Sequence, residues 1–160
     1  MESKELAQIS EILLKHQKTI AVAESVTSGY LQFLLSNAPE AGTIFQGGIT
    51  AYNCGQKAKH LAVEPIYAIS RSGVGQDIST QMAKSITKLF NAYVGVGITG
   101  FADHSDPQQG VVAYLSIAYG DHEELSVQLH STASDFGSRQ IDFAEQAVKM
   151  LAETLGTIPL

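Results

Sequence analysis

Apolar residues change their spacing several times along this chain, and each change marks an expected element. Leu6, Ile9, Ile12 and Leu13 recur at helical intervals, with Glu5, Glu11, Lys15 and Lys18 filling the gaps, which predicts an amphipathic helix over residues 3–16. Thr19 to Ala23 reads as a buried strand, and Tyr30, Leu31, Phe33, Leu34 and Leu35 read as the apolar side of a short helix. Pro39 and Gly42 interrupt the chain before a second strand from Thr43 to Ala51. Lys57, Lys59 and Leu61 then fall in a short helix or turn. Val63 to Tyr67 is expected to be extended, since residues before a proline are pushed out of the helical region, and a loop follows from Ser70 to Gly75.

In the second half, Ile78, Met82, Ile86, Leu89 and Phe90 predict a helix from about Asp77 onward. Tyr93 to Ile98 alternates apolar residues with Gly95 and Gly97, as a tightly packed strand does. Val111 to Tyr119 and Glu124 to His130 flank Gly120-Asp121-His122 and predict an antiparallel hairpin. Ile141, Ala144, Val148, Leu151 and Leu155 define a last helix that covers the sheet. This alternation has too many helices for a β-sandwich and too many separated strands for a bundle. It predicts an α/β fold, a three-layer α/β/α sandwich around a mixed sheet, with strand order left open.

Length and charge narrow the picture. The 160 residues suit one domain, 1–160, and the 44% hydrophobic and 16% charged content fit a compact globule. A net charge of −6 with dispersed Lys and Arg argues against a nucleic-acid surface. Cys54 is the single cysteine, so no internal disulfide or Cys-rich zinc site is expected. The segment Met1 to Leu6 is a polar helix start without an apolar signal core, and no run approaches the roughly 18 apolar residues of a membrane span, so a cytoplasmic protein without a membrane partner is expected. His16, His60, His104, His122 and His130 show no metal-ligand spacing, and neither a metal nor a cofactor is expected.

Candidate chemistry concentrates at Ala21-Val22-Ala23-Glu24-Ser25-Val26-Thr27-Ser28-Gly29-Tyr30, where the first strand stops at a carboxylate and hydroxyls before a helix. Ser25 would sit just past the carboxyl end of a strand, where open α/β sheets bind ligands. The same residue types also cap helices with no further role. A second segment, Ala51-Tyr52-Asn53-Cys54-Gly55-Gln56-Lys57, ends a strand at a tyrosine and places a lysine five residues later. Lysine can serve a serine nucleophile as its base only when burial or nearby positive charge lowers its pKa, and most lysines are solvated surface amines.

Together these segments resemble the CinA C-terminal domain family, whose stand-alone members are nicotinamide mononucleotide deamidases. The family's A-E-S-C-T-G-G stands here as Ala23 to Gly29, its T-Y-S-N-x-x-K as Ala51 to Lys57, and its G-I-A-G-P-x-G-G loop begins as Gly97-Ile98-Thr99-Gly100. The resemblance runs from the first helix to the last. It implies an amidohydrolase that converts nicotinamide mononucleotide and water to nicotinic acid mononucleotide and ammonia, with Ser25 as nucleophile, Lys57 as general base and Tyr52 beside the pair. Glu24 holds Lys57 or substrate in place, or caps the helix. Thr27, Ser28 and Gly29 offer N–H groups to a phosphate or an oxyanion, Gly97, Thr99 and Gly100 line the nucleotide pocket, and Arg139 either meets the phosphate or makes a surface ion pair. A homodimer or higher homo-oligomer is also implied.

The chain departs from the pattern at Val26, Ser28 and Asn53-Cys54, and most of all at Phe101-Ala102-Asp103-His104, where the family has P-x-G-G. A substrate-shifted or catalytically silent ligand-binding protein is the alternative those departures raise. The loop from Phe101 to Gln109 is expected to govern what the pocket accepts.

Overall fold

In the computed structural model, which describes residues 3–104, 106–120 and 122–160, a five-stranded mixed sheet lies between two layers of helices. Helix α1 (Lys4–Lys15) begins where Ser3 accepts a hydrogen bond from Leu6 N, and it buries Leu6, Ile9 and Leu13. Strand β1 (Ile20–Glu24) is buried throughout. It is the second strand in the order β2-β1-β3-β4-β5, with β2 (Phe45–Thr50) and β3 (Val94–Phe101) parallel to it on either side. Strands β4 (Val112–Tyr119) and β5 (His122–His130) continue antiparallel to the far edge.

Alternate residues of β1 serve opposite layers, as the two-residue period of a strand requires. Ile20 and Val22 join the cluster formed with α1, α2 (Tyr30–Ser36) and α7 (Phe136–Leu155). Ala21 and Ala23 join Leu61 of α4 (Cys54–Leu61), Ala68 of α5 (Pro65–Ser70) and Ile78, Met82 and Ile86 of α6 (Gln76–Phe90). Gly95 and Gly97 let α6 rest directly on β3: a Cβ at either would lie 2.2 Å from the carbonyl oxygen of Ala83 or Ser79.

Two segments differ from the sequence expectation. The strand expected from Thr43 begins at Phe45, after a single helical turn, α3 (Ala41–Ile44). The extended segment expected from Val63 to Tyr67 is helical from Pro65. Only Glu64 obeys the pre-proline restriction, with φ −62° and ψ 122°, and its carboxylate caps Ile66 N and Tyr67 N while Pro65 takes the first helical turn.

Chain order and sheet order together fix where a site can form. The crossover from β1 to β2 runs through α2 and α3, whereas β2 connects to β3 through α4, α5 and α6 on the other side. The strands that flank β1 thus follow from connections on opposite layers, and the crevice at its carboxyl end is the topological switch point of the sheet.

Candidate active site

Ser25 leaves β1 at that crevice, its N–H fixed to Ile98 O at 3.0 Å. Asn53, whose side chain accepts from Gln56 N, caps α4 and starts the helix that carries Lys57 beneath Ser25. Lys57 is 2% exposed, and its Nζ donates to Ser25 Oγ at 2.8 Å. Burial lowers its pKa from 10.5 to about 8, while the charge of a Cys54 thiolate would act in the opposite direction. Among the described residues, no carboxylate is among the groups acting on it.

Main chain supplies much of the dry wall around this amine. Gly73, with φ +71°, passes so close that a Cβ there would stand 3.3 Å from Lys57 Nζ and 3.1 Å from Cys54 Sγ. Thr99 Oγ1 donates to Gly73 O at 2.7 Å and holds that loop in place.

A cleft of about 190 Å³ opens beside the pair, lined by Ser25, Val26, Tyr52, Lys57, Ser72, Val74, Gly100, Phe101, Ala102, Asp103 and Phe136. A wider space of about 540 Å³ adjoins it at Ser72 and Phe101 and reaches Asp106, Pro107 and Gln108. A separate groove of about 430 Å³ among α1, α2 and α7 is lined by neither Ser25 nor Lys57. Phe101 forms a wall of the cleft and leaves it open, and His104 is exposed.

The remaining residues expected at the site divide between cleft and scaffold. Tyr52 lines the cleft and is 58% exposed, and it is its carbonyl oxygen that lies 3.5 Å from Ser25 Oγ. Glu24 is fully buried and turned toward α2, where it accepts from Thr27 Oγ1, Gly29 N, Leu31 N and Gln32 N. Of its two expected roles, the geometry gives it the capping one. Thr27 and Gly29 are therefore bonded to Glu24, and Ser28 N bonds Ser25 O, so these groups complete a turn.

Gly97 lies under α6, Thr99 is fully buried on Gly73, and only Gly100 of that trio lines the cleft. Arg139 donates Nε to Ala133 O at 2.9 Å, Nη1 to Ala102 O at 3.1 Å and Nη2 to Ser134 O at 3.2 Å. It clamps the end of β3 to the turn that starts α7.

Sequence reasoning marked Val74-Gly75-Gln76 as a departure from the family's Val-Ser-Glu but did not single out Ser72, Gly73 or Phe136. The Ser72-Gly73-Val74-Gly75 run carried a signal for a close-packed turn, whereas Phe136 lies before the apolar repeat by which the last helix was recognised. Among the described residues, no three of His, Cys, Asp and Glu converge as a metal site, and no helix is long and apolar enough to cross a membrane.

Comparison with known proteins identifies relatives by sequence and by fold. The chain is 33% identical over 148 residues to a competence-damage inducible protein of Streptococcus pyogenes, covering 91% of this chain and 34% of that protein. It is 33% identical over 122 residues to one from Lysinibacillus sphaericus, covering 75% and 29%. It thus spans about a third of the length of these relatives. Among solved structures, competence damage-inducible protein A of Klebsiella pneumoniae superposes with a TM-score of 0.90 at 17% identity, covering 98% of both chains. A CinA superfamily protein of Escherichia coli gives 0.83 at 20% identity, covering 92% of this chain and 86% of that one. These two structures share the fold. The profile of the CinA C-terminal domain matches residues 2–155, and the chain belongs to that family.

Proposed function

We propose that this chain is an amidohydrolase that opens a nicotinamide-type carboxamide through Ser25 and Lys57, the reaction that resemblance to nicotinamide mononucleotide deamidases implies. The observation that carries the reading is the 2.8 Å contact between a buried lysine amine and a serine hydroxyl at the mouth of an open cleft. A lysine with a pKa of about 8 is neutral in a useful fraction of molecules near neutral pH, and only that form can take a proton from serine.

Neutral Lys57 removes the Ser25 proton as the oxygen attacks the carboxamide carbon, and the carbonyl electron pair moves onto oxygen. Ser25 N, Ser28 N and Gly29 N are bonded within the protein, and of the other two N–H groups of this turn, Val26 and Thr27, it is Val26 that lines the cleft and donates to that oxyanion. Collapse breaks the C–N bond as Lys57 returns the proton to nitrogen, releasing ammonia and an ester on Ser25. Water then loses a proton to Lys57 and attacks the ester carbon. Breakdown restores the Ser25 hydroxyl and frees a carboxylic acid.

Ammonia release from nicotinamide mononucleotide, its nucleoside and nicotinamide tests the proposal. Wild-type protein should release ammonia from at least one of them, and Ser25→Ala should not. Full turnover by the Ser25 variant would sink the mechanism, and silence of the wild-type protein on all three would sink the activity.

A further inference from the structure

We infer that the carboxamide this cleft accepts is carried on an uncharged or cationic ring without a phosphate group. The inference rests on the amidohydrolase reading and narrows its substrate. Size is the first argument. The cleft beside Ser25 holds about 190 Å³, below the roughly 300–1,000 Å³ of ordinary ligand pockets, so it admits the reacting ring and not a whole mononucleotide. The rest of such a ligand would have to lie in the adjoining space at Ser72, Phe101 and Asp106.

Charge is the second argument. Among the described residues lining the two spaces, the only cation is Lys57, which is buried at the serine, whereas Asp103 and Asp106 are both carboxylates. The N–H groups of Gln108 and Gln109 hold Asp106 below the usual carboxylate range, so it is charged at neutral pH. Two negative groups on the approach repel a phosphate and attract a cationic ring, and the aromatic faces of Tyr52, Phe101 and Phe136 favour the same ligand.

The groups that could reverse this balance are engaged elsewhere. The amino end of α2, a ready anion site in other folds, is filled by the Glu24 carboxylate. Arg139 spends three donors on the carbonyls of Ala102, Ala133 and Ser134 and does not line the cleft. Arg71, next to Ser72 in sequence, lies over the Tyr67 ring, 5.9 Å from its centre, whose hydroxyl bonds Asp77.

Calorimetric titration of Ser25→Ala protein with nicotinamide riboside and with nicotinamide mononucleotide tests the inference without requiring turnover, and the wild-type kcat/KM ratio gives a second reading of the same preference. The nucleoside should bind about tenfold tighter at low salt, with the gap narrowing as salt screens the carboxylates. Replacing Asp103 and Asp106 together by Asn should raise mononucleotide affinity several-fold relative to the nucleoside. Arg139→Met should weaken both ligands alike. Equal or tighter binding of the mononucleotide, a mononucleotide-selective loss in the Arg139 variant, or binding of neither ligand would each overturn the inference. If the nucleoside binds selectively but wild-type protein releases no ammonia, the hydrolytic reading fails and the ligand class stands.

Discussion

Glu24 and Lys57 are both ionisable, both buried and both within reach of the same turn, yet their surroundings are opposite in kind. Glu24 receives three main-chain N–H groups and the Thr27 hydroxyl, and it lies at the positive end of α2. Lys57 has the Ser25 hydroxyl and a wall of main chain, with no carboxylate among the described residues acting on it. A buried group surrounded by complementary partners holds the fold in place. One left short of partners is pushed toward its neutral form and becomes reactive. The difference tells scaffold from chemistry where residue type alone does not.

The strongest way to break this comparison is to remove the amine. Lys57→Met should lower turnover by about 10⁴-fold or more, read as steady-state ammonia release. The same change should raise stability by about 1–3 kcal/mol at pH 7, measured by urea denaturation, because it removes a desolvated amine that lacks a counter-charge. Wild-type activity should rise through pH about 8 and then level, following the neutral amine. Stability has the same sign. Because the folded pKa lies below the unfolded value, the native state binds fewer protons between pH about 8 and 10.5, so stability increases across that window, by at most roughly 3 kcal/mol, and the penalty is fully present below it. The Met variant should lose both slopes. A Met variant that is strongly destabilised would show that Lys57 is as well partnered as Glu24.

The next largest effect belongs to the other half of the comparison. Glu24→Ala leaves the first N–H groups of α2 without their acceptor and should cost about 3 kcal/mol by the same measurement, with Glu24→Gln costing less because one oxygen remains. A stable Ala variant that has lost only catalysis would move Glu24 into the chemistry. The smallest effect is expected at Tyr52. The residue is 58% exposed and its carbonyl is the group bonded to Ser25, so Tyr52→Phe should hold kcat within about twofold of wild type. A large kcat loss would give the hydroxyl a part in proton transfer.

Local pattern carried the elements whose apolar spacing is unbroken. The helix around Leu6, Ile9 and Leu13, the buried strand before Ser25 and the last helix all lie where their periodicity puts them. The turn at Pro65 was misread because an extended pre-proline residue is equally the start of a strand and the cap of a helix. The Glu64 carboxylate that decides between them acts through space. The same holds at the site. The Ser25–Lys57 pair was legible from the motifs that resemble the family's, and the capping of α2 by Glu24 is local enough to have been among its expected roles, but the packing of Gly97 under α6 and the bond from Arg139 to Ala102 come from tertiary contacts that spacing does not encode.

The Gly73 wall has a consequence for how such a protein changes over time. On the proposed amidohydrolase reading, what activates Lys57 is α4 and the main chain at Gly73, whereas the approach for a ligand is built largely from residues 101–103, Asp106 and Phe136. Reactivity and recognition are thus drawn from separate stretches of the polypeptide. On that reading, substitutions can accumulate in the recognition stretch while Ser25 and Lys57 keep their contact, and the same pair can be carried through a succession of ligands.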